Sequence, residues 1–166
     1  MTNPVFVRSA EPTGDDPETI LAIDRACFAE GTVNVGAEFD RPWAKLWVAR
    51  ENEEGPARAF LLAWLVVDEL HVLSVATLPE FRRRGMARAL LDRAIAFARE
   101  SGVRTVLLEV RRSNATAIRL YRAFGFSATA VRANYYADNL EDAVEMTLTL
   151  DPETGKILAA EDAVTI

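Results

Sequence analysis

The sequence of 166 residues is poor in the side chains that build disulfides and metal sites. It has one cysteine, Cys27, and one histidine, His71. A single cysteine excludes an intrachain disulfide, and no further ligands stand at metal spacing from His71, so we expect no metal. Cys27 lies among apolar residues without a histidine partner. This favours a core position over a covalent acyl-enzyme intermediate.

Long apolar runs are also missing. No stretch approaches the roughly 20 apolar residues that a membrane span needs, so we expect no membrane insertion. The first ten residues do not resemble a secretory signal, and we expect a cytoplasmic protein. Hydrophobic residues make up 50% of the chain, which excludes disorder and suits one domain. We expect that domain over residues 1–150, followed by a loose tail over residues 151–166.

Positive charge is scarce overall, since the net charge is −6. Phosphate neutralisation supplies most non-specific affinity for nucleic acids, so we expect no direct nucleic-acid binding. The charge is uneven, however: eleven arginines and only four acidic residues lie between Glu80 and Arg122. A basic middle in an acidic chain indicates a local anionic ligand, although arginine-rich helices that are simply solvated would give the same pattern.

Apolar periodicity predicts the element order β-α-loop-β-β-β-α-β-α-β-β. The first helix is predicted to begin with Asp16 as its N-cap. Residues 30–42 are predicted as a loop with room for one short helix. One strand-helix-strand unit from Val72 to Val110 lies among antiparallel neighbours, and its second strand is predicted to be buried on both faces until Glu109. The predicted class is a single-domain α/β fold, a mixed and mostly antiparallel sheet of about seven strands flanked by helices.

A phosphate-binding pattern stands where a strand passes into a helix, in the run Arg82-Arg83-Arg84-Gly85-Met86-Ala87. A helix N-terminus presents unpaired N–H groups and partial positive charge, and Gly85 lets phosphate oxygens approach the backbone. Met86 is predicted to point into the core. The run is neither a Walker loop nor a dinucleotide fingerprint. The alternative is a capped helix whose arginines serve solubility.

Four segments resemble motifs of the GCN5-related N-acetyltransferase superfamily. They are Leu73–Leu91 with the arginine-glycine run, Leu108–Tyr121, Phe124-Gly125-Phe126, and Arg132-Ala133-Asn134-Tyr135-Tyr136 with the later Glu141-Asp142-Ala143. The C-terminal signature is most similar to the RimI branch, the ribosomal-protein alanine N-acetyltransferases. The close resemblance covers about residues 71–149, roughly half the chain. Residues 27–43 are longer than the corresponding family segment and differ from it.

The resemblance implies acetyl-CoA as the cofactor and acyl donor. Val75, Ala76 and Thr77 would pair their backbone with the pantetheine arm. The pyrophosphate loop would be formed by Arg83, Arg84, Gly85, Met86, Ala87 and Arg88. Asn114 would contact the cofactor near its pantetheine. Glu109 would match the general base and Tyr121 the general acid of the family.

Each catalytic candidate also has a plain structural interpretation. Burial at a strand end is expected to raise the pKa of the Glu109 carboxyl toward a useful range, but a glutamate there can simply pair with Arg111 or Arg112. Tyr121 can be an ordinary core residue. Tyr135 and Tyr136 can wall an acceptor groove, as the family implies, or pack across strands.

Three functions follow from the resemblance. The first is acetylation of a protein N-terminal α-amine, in particular that of a ribosomal-protein alanine, by direct attack in a ternary complex. The second is acetylation of a small-molecule amine, which the divergent residues 30–43 leave open. The third is a regulator that only binds acyl-CoA, against which the presence of both Glu109 and Tyr121 argues.

Overall fold

The computed structural model describes residues 4–29 and 31–166, so Met1–Asn3 and Glu30 lie outside the described residues. The described residues form four α-helices and eight β-strands. In chain order these are β1 (Phe6–Ser9), α1 (Asp16–Cys27), α2 (Val35–Phe39), β2 (Ala44–Arg50), β3 (Ala59–Val66), β4 (Glu69–Thr77), α3 (Met86–Glu100), β5 (Thr105–Arg111), α4 (Ala115–Phe124), β6 (Ser127–Tyr136), β7 (Glu141–Leu150) and β8 (Ile157–Leu158). The predicted order is confirmed. Helix α2 lies in the predicted loop, and β8 lies in the predicted tail.

The strands hydrogen-bond in the order β1-β2-β3-β4-β5-β7-β6, and β8 pairs with β7. Strand β4 runs parallel to β5, with Glu69–Val72 in register with Thr105–Leu108. The pairs β1/β2, β2/β3, β5/β7, β6/β7 and β7/β8 are antiparallel. A parallel pair requires a crossover, which α3 supplies between β4 and β5, as the sequence predicted.

Contacts divide the chain into two units. The first runs to Leu65 and includes Leu73–Ala96. Its core is a cluster in which Ile20 and Ile23 of α1 pack with Leu46 and Val48 of β2 and with Phe60 of β3. The spacing of Ile20 and Ile23 puts both on one face of the helix, so α1 buries that face against these apolar strand residues.

The second unit comprises Val66–Val72 and Phe97–Ile166. In β5, buried residues alternate with half-buried ones, and three cross-strand pairs fill one face: Val106 with Leu148, Leu108 with Met146, and Val110 with Val144. The prediction that β5 is buried on both faces is therefore wrong. Leu107 and Glu109 lie on its second face, because successive strand side chains point to opposite sides.

The start of α1 differs from the prediction by one residue. Asp15 occupies the N-cap position and makes no side-chain cap, whereas Asp16 is the first helical residue. The buried Asp16 carboxylate instead accepts hydrogen bonds from the guanidinium groups of Arg8 and Arg50, at 2.7 and 3.2 Å. An N-cap side chain must turn back to the helix backbone. Asp16 is committed to the two arginines instead.

Residues 151–166 are fastened to the second unit, which corrects the expectation of a loose tail. Leu158 and Ile157 of β8 pair with Thr149 and Leu150 of β7. Further along, the Asp162 carboxylate accepts hydrogen bonds from Arg122 at 2.7 Å and from the backbone N–H of Ala128 at 2.9 Å. The tail thus makes both backbone and charged contacts with its unit.

Candidate active site

The predicted phosphate-binding run from Arg82 to Ala87, called the cradle below, lies in the first unit at the start of α3. Its backbone takes left-handed φ angles at Arg83 (61°) and Gly85 (85°). The first turn of α3 is closed by a hydrogen bond from the Ala89 N–H to the Gly85 carbonyl. The N–H groups of residues 85–88 therefore precede the hydrogen-bond ladder of the helix, as the donors of an anion site must. Met86 is buried, as predicted.

Gly85 leaves space in front of this backbone. A Cβ atom built at Gly85 would have nothing within 4 Å. The glycine is therefore not required by close packing of the protein; it is required by its φ angle, which side-chain-bearing residues adopt only at a cost. An open approach to backbone N–H groups beside several arginines fits a pyrophosphate.

Two of the arginines are held by protein partners. The Arg84 guanidinium lies 2.6 Å from the Glu51 carboxylate and 5.0 Å from the Phe81 ring centroid. The Arg82 Nε–H donates to the Thr77 carbonyl at 3.2 Å. Both guanidinium groups thus already have protein partners beside the cradle.

Strand β4 supplies the three residues predicted to pair with pantetheine. Ala76 is buried in the core of the first unit, whereas Val75 and Thr77 are half-buried. The Thr77 carbonyl accepts a hydrogen bond from the Cys27 thiol at 3.3 Å. The Cys27 side chain thus links the end of α1 to β4, which agrees with a packing role.

Glu109 lies in the second unit, with its side chain 28% exposed. It pairs with neither Arg111 nor Arg112: Arg111 contacts Asp138 and Glu141, and Arg112 contacts Asp142. Its ionic partner is Arg132 of β6, at 3.0 Å. The Tyr135 hydroxyl also hydrogen-bonds to Glu109, and this bond, followed by burial, raises the pKa of Tyr135.

Tyr121 is buried in α4, with 8% of its surface exposed. Its ring contacts Phe126, with 5.9 Å between the centroids. Burial, with a smaller effect of Tyr136, raises the pKa of Tyr121 to about 12. The phenol therefore stays protonated throughout the neutral range, as a proton donor must.

Asn114 is the N-cap of α4, and its side-chain oxygen accepts from the Ala117 N–H at 3.2 Å. Asn114 thus caps α4, whereas its contact with a cofactor stays a prediction. The nearby β6–β7 turn is held by Arg111, which lies 3.9 Å from the Tyr136 ring centroid. Glu141 accepts from the Ser113 N–H at 2.7 Å; hydrogen bonds from Ser113, ahead of those from Asn139 and Arg111, lower its pKa to about 2.

Comparison with known proteins identifies the family. Residues 16–126 match the acetyltransferase (GNAT) family. The chain belongs to that family. The resemblance seen in the sequence is therefore confirmed, and the chain is an acetyl-CoA-dependent N-acyltransferase. This excludes the third function, a regulator that only binds.

Individual relatives agree with this assignment. The [ribosomal protein bS18]-alanine N-acetyltransferase of Escherichia coli strain K12 is 41% identical over 101 residues, which are 60% of this chain and 68% of that protein. The crystal structure of the ribosomal-protein-S18-alanine N-acetyltransferase from Escherichia coli matches with a TM-score of 0.77 and 29% identity, covering 98% of this chain and all of the other. The structure of nourseothricin acetyltransferase matches with a TM-score of 0.68 and 26% identity, covering 86% and 96%. The predicted GNAT-like α/β fold is confirmed.

Sequence reasoning about this acetyltransferase missed two charged residues beside Glu109. Arg132 was noted only as the start of the Arg132–Tyr136 motif, and Glu145 was not singled out. Glu145 lies directly opposite Glu109 in the β5/β7 register. The alternation of polar residues along β7 was the available signal, but it does not reveal which residue of β5 lies opposite.

The segment that follows α1 is built around two buried carboxylates of the first unit. Asp24 accepts from the Thr32 and Val33 N–H groups, at 2.6 and 3.1 Å. Glu38 of α2 accepts from the Trp64 indole N–H at 2.7 Å and pairs with Arg41. An open groove of about 610 Å³ lies along α1, lined in part by Leu21, Arg25 and residues 31–36. Residues 31–36 of the segment that differs from the family thus border this groove.

Other expectations concern metals and membranes. Within residues 4–29 and 31–166, no group of three or more His, Cys, Asp or Glu side chains is placed to hold a metal ion. His71 pairs with Glu69 at 2.7 Å. No helix in the described part of the chain is long and apolar enough to cross a membrane. The cytoplasmic location and the lack of nucleic-acid binding stay predictions.

Proposed function

We propose that this acetyltransferase acetylates the N-terminal α-amine of a protein, in particular an N-terminal alanine of a ribosomal protein. The observation that carries this proposal is the 41% identity to the bS18-alanine N-acetyltransferase of Escherichia coli. The carboxylate of Glu109 supports it, because a half-buried negative charge suits an acceptor that arrives as an ammonium group.

The donor is acetyl-CoA, which supplies the acetyl group as a thioester. The cradle fits its pyrophosphate, since the approach to Gly85 is open and the first-turn N–H groups precede the helix ladder. Residues 83–88 are proposed to hold that pyrophosphate. The backbone of Val75, Ala76 and Thr77 would pair with the pantetheine arm as an added strand, and Asn114 would contact the arm while its oxygen caps α4.

The chain's own residues then move two protons. A peptide α-amine has a pKa of about 7.7–8.0, so at neutral pH most acceptors arrive protonated. Glu109 is proposed to take the proton from that amine, directly or through a water. Tyr121, which is protonated at neutral pH, is proposed to give its phenolic proton to the departing sulfur. Cys27 takes no part, since its thiol donates to the Thr77 carbonyl.

A second candidate is acetylation of a small-molecule amine. The structural match to nourseothricin acetyltransferase favours it, as does the longer segment of residues 31–43 that borders the groove. Both candidates share the same donor and base, and they differ only in the size of the acceptor.

A panel of alanine-starting peptides and small amines, assayed for release of free coenzyme A, decides between the two. We expect the peptides to give the highest kcat/KM. Glu109→Gln should lower kcat by about two to four orders of magnitude, the usual contribution of a general base, and Tyr121→Phe should lower kcat while leaving the Kd of acetyl-CoA unchanged.

Glu153→Gln, an exposed substitution in the tail, is the matched control and should be as active as the wild type. Wild-type activity in Glu109→Gln would refute the base assignment. A preference for small amines would replace the first candidate by the second.

A further inference from the structure

Glu109 and Glu145 face each other across neighbouring strands of the second unit. They are directly paired in the antiparallel β5/β7 register. Side chains at such positions lie on the same face of a sheet, and two like charges there repel each other. Their side chains are only 28% and 24% exposed, so water screens this repulsion incompletely. A cation placed between the two carboxylates would offset this repulsion.

A β-bulge brings that cation to the correct face. In β6, Ala128 is paired with Met146, but Ala130 rather than Thr129 is paired with Glu145. The extra residue, Thr129, moves the following residues of β6 to the opposite face of the strand. Arg132, paired with Ala143, therefore shares the face of Glu109 and Glu145.

Arg132 uses separate nitrogens for the two carboxylates. Its Nη1 lies 3.0 Å from Glu109 Oε1, and its Nη2 lies 3.2 Å from Glu145 Oε2. Glu145 is fixed from its other oxygen, because the Thr129 hydroxyl donates to Oε1 at 3.2 Å. The guanidinium fork can thus leave one carboxylate and keep the other.

The Arg132 side chain is 51% exposed, so moving it costs little burial. The other groups that face Glu109 within the second unit come from β6: the Tyr135 hydroxyl, which hydrogen-bonds to it, and the more distant Tyr136. The Tyr135 ring also lies 5.6 Å from the Arg132 guanidinium. Glu109 is therefore bound by one exchangeable cation and one neutral donor.

We propose that Arg132 is a positioning residue that occupies the ammonium position at Glu109 until the acceptor amine displaces it onto Glu145. The inference rests on the proposed function, since it takes Glu109 as the base. An ammonium acceptor must replace the guanidinium before its nitrogen can contact the carboxylate. Glu145 keeps the displaced cation paired, so the exchange does not leave a charge without a partner.

The exchange predicts opposite effects on the KM of the acceptor. The assay uses the amine with the highest turnover in the panel above, at saturating acetyl-CoA. Arg132→Gln removes the competing cation and should lower KM on the order of threefold, the scale of a partly exposed ion pair. Glu145→Gln removes the carboxylate that would receive the displaced guanidinium, so Arg132 stays on Glu109. This variant should raise KM by a similar factor.

Two further variants distinguish the displacement of Arg132 from a direct electrostatic effect of Glu145 and from a purely structural role of Arg132. The double variant, Arg132→Gln with Glu145→Gln, should have the low KM of Arg132→Gln, because Glu145 acts through Arg132. Arg132→Lys keeps the charge and should keep KM near the wild-type value. Arg104→Gln, which removes an arginine paired with Asp68 at 3.6 Å, is the matched control and should change neither kcat nor KM.

Three outcomes would overturn the inference: an increase in KM with Glu145→Gln that persists in the double variant, equal KM values in Arg132→Gln and Arg104→Gln, or a change of KM in Arg132→Lys as large as that in Arg132→Gln. Failure of the proposed function is recognised separately. It shows as full activity in Glu109→Gln, whatever the Arg132 variants do.

Discussion

At the scale of single residues, Gly85 combines a left-handed backbone angle with open space in front of it. Its φ of 85° is unfavourable for any residue with a Cβ atom, yet that atom would meet nothing within 4 Å. The protein's own packing therefore leaves this space open, as the proposed pyrophosphate contact requires. Gly102 has the same two properties, with φ of 68° and open surroundings, but it lies in the turn after α3.

These two glycines give a matched test of the cradle. Gly85→Ala and Gly102→Ala should each lower the free energy of unfolding by about 1–2 kcal/mol, because both force a left-handed alanine. Only Gly85→Ala should also raise the Kd of acetyl-CoA, on the order of tenfold, by misplacing N–H donors to a charged group. Titration calorimetry and denaturant unfolding measure the two effects. Equal Kd values in both variants would argue against the cradle.

The same scale shows what the sequence can and cannot predict about the site. Gly85 and Met86 were predictable, because turn chemistry and helix periodicity are local properties. The ionic partner of Glu109 was not. A single inserted residue, Thr129, decides which side chains of β6 share its face. No residue of β6 after Ala128 is buried, so no apolar alternation in the sequence marks this shift.

At the scale of elements, the segment between α1 and β2 is organised by one aspartate. Asp24, fully buried in α1, receives the Thr32 and Val33 N–H groups and the Thr32 hydroxyl. The absence of a clear period in residues 30–42 predicted a loop with room for one short helix. It could not reveal that a helical carboxylate fixes this loop, because the bond joins residues eight and nine positions apart.

Substitution of this aspartate tests how far the segment depends on it. Asp24→Asn replaces one accepting oxygen by an NH₂ group and should lower the free energy of unfolding by about 1–3 kcal/mol, the cost of unsatisfied buried donors. Asp40→Asn, at an exposed position after α2, is the control. The result would contradict this account if both variants unfolded at the same denaturant concentration.

At the scale of the whole chain, the order of elements followed from periodicity, whereas the role of the last residues did not. The segment after Leu150 has little apolar period, which predicted a loose tail. Its attachments include the pairing of β8 with β7 and the hydrogen bonds of the Asp162 carboxylate. Such contacts use partners far away in the sequence, here Arg122 and Ala128, so local patterns carry no record of them.

Asp162 makes this attachment dependent on pH. Its hydrogen bonds with Arg122, and then with the Ala128 N–H, lower its pKa. A carboxyl group with a lowered pKa in the folded state adds stability above its unfolded pKa of about 3.9, and this contribution is lost as the pH falls through the folded value.

Asp162→Asn should therefore lower the melting temperature by about 2 °C at pH 7, the size expected for a partly exposed ion pair. The two melting temperatures should converge as the pH falls from about 4 through the lowered pKa of the folded carboxyl, where the wild-type side chain becomes neutral. Glu161→Gln, its exposed neighbour, should show no such convergence. If the melting temperature of Asp162→Asn stayed equally far below that of the wild type at pH 3, the shape of the Asp162 side chain, and not its charge, would hold the tail.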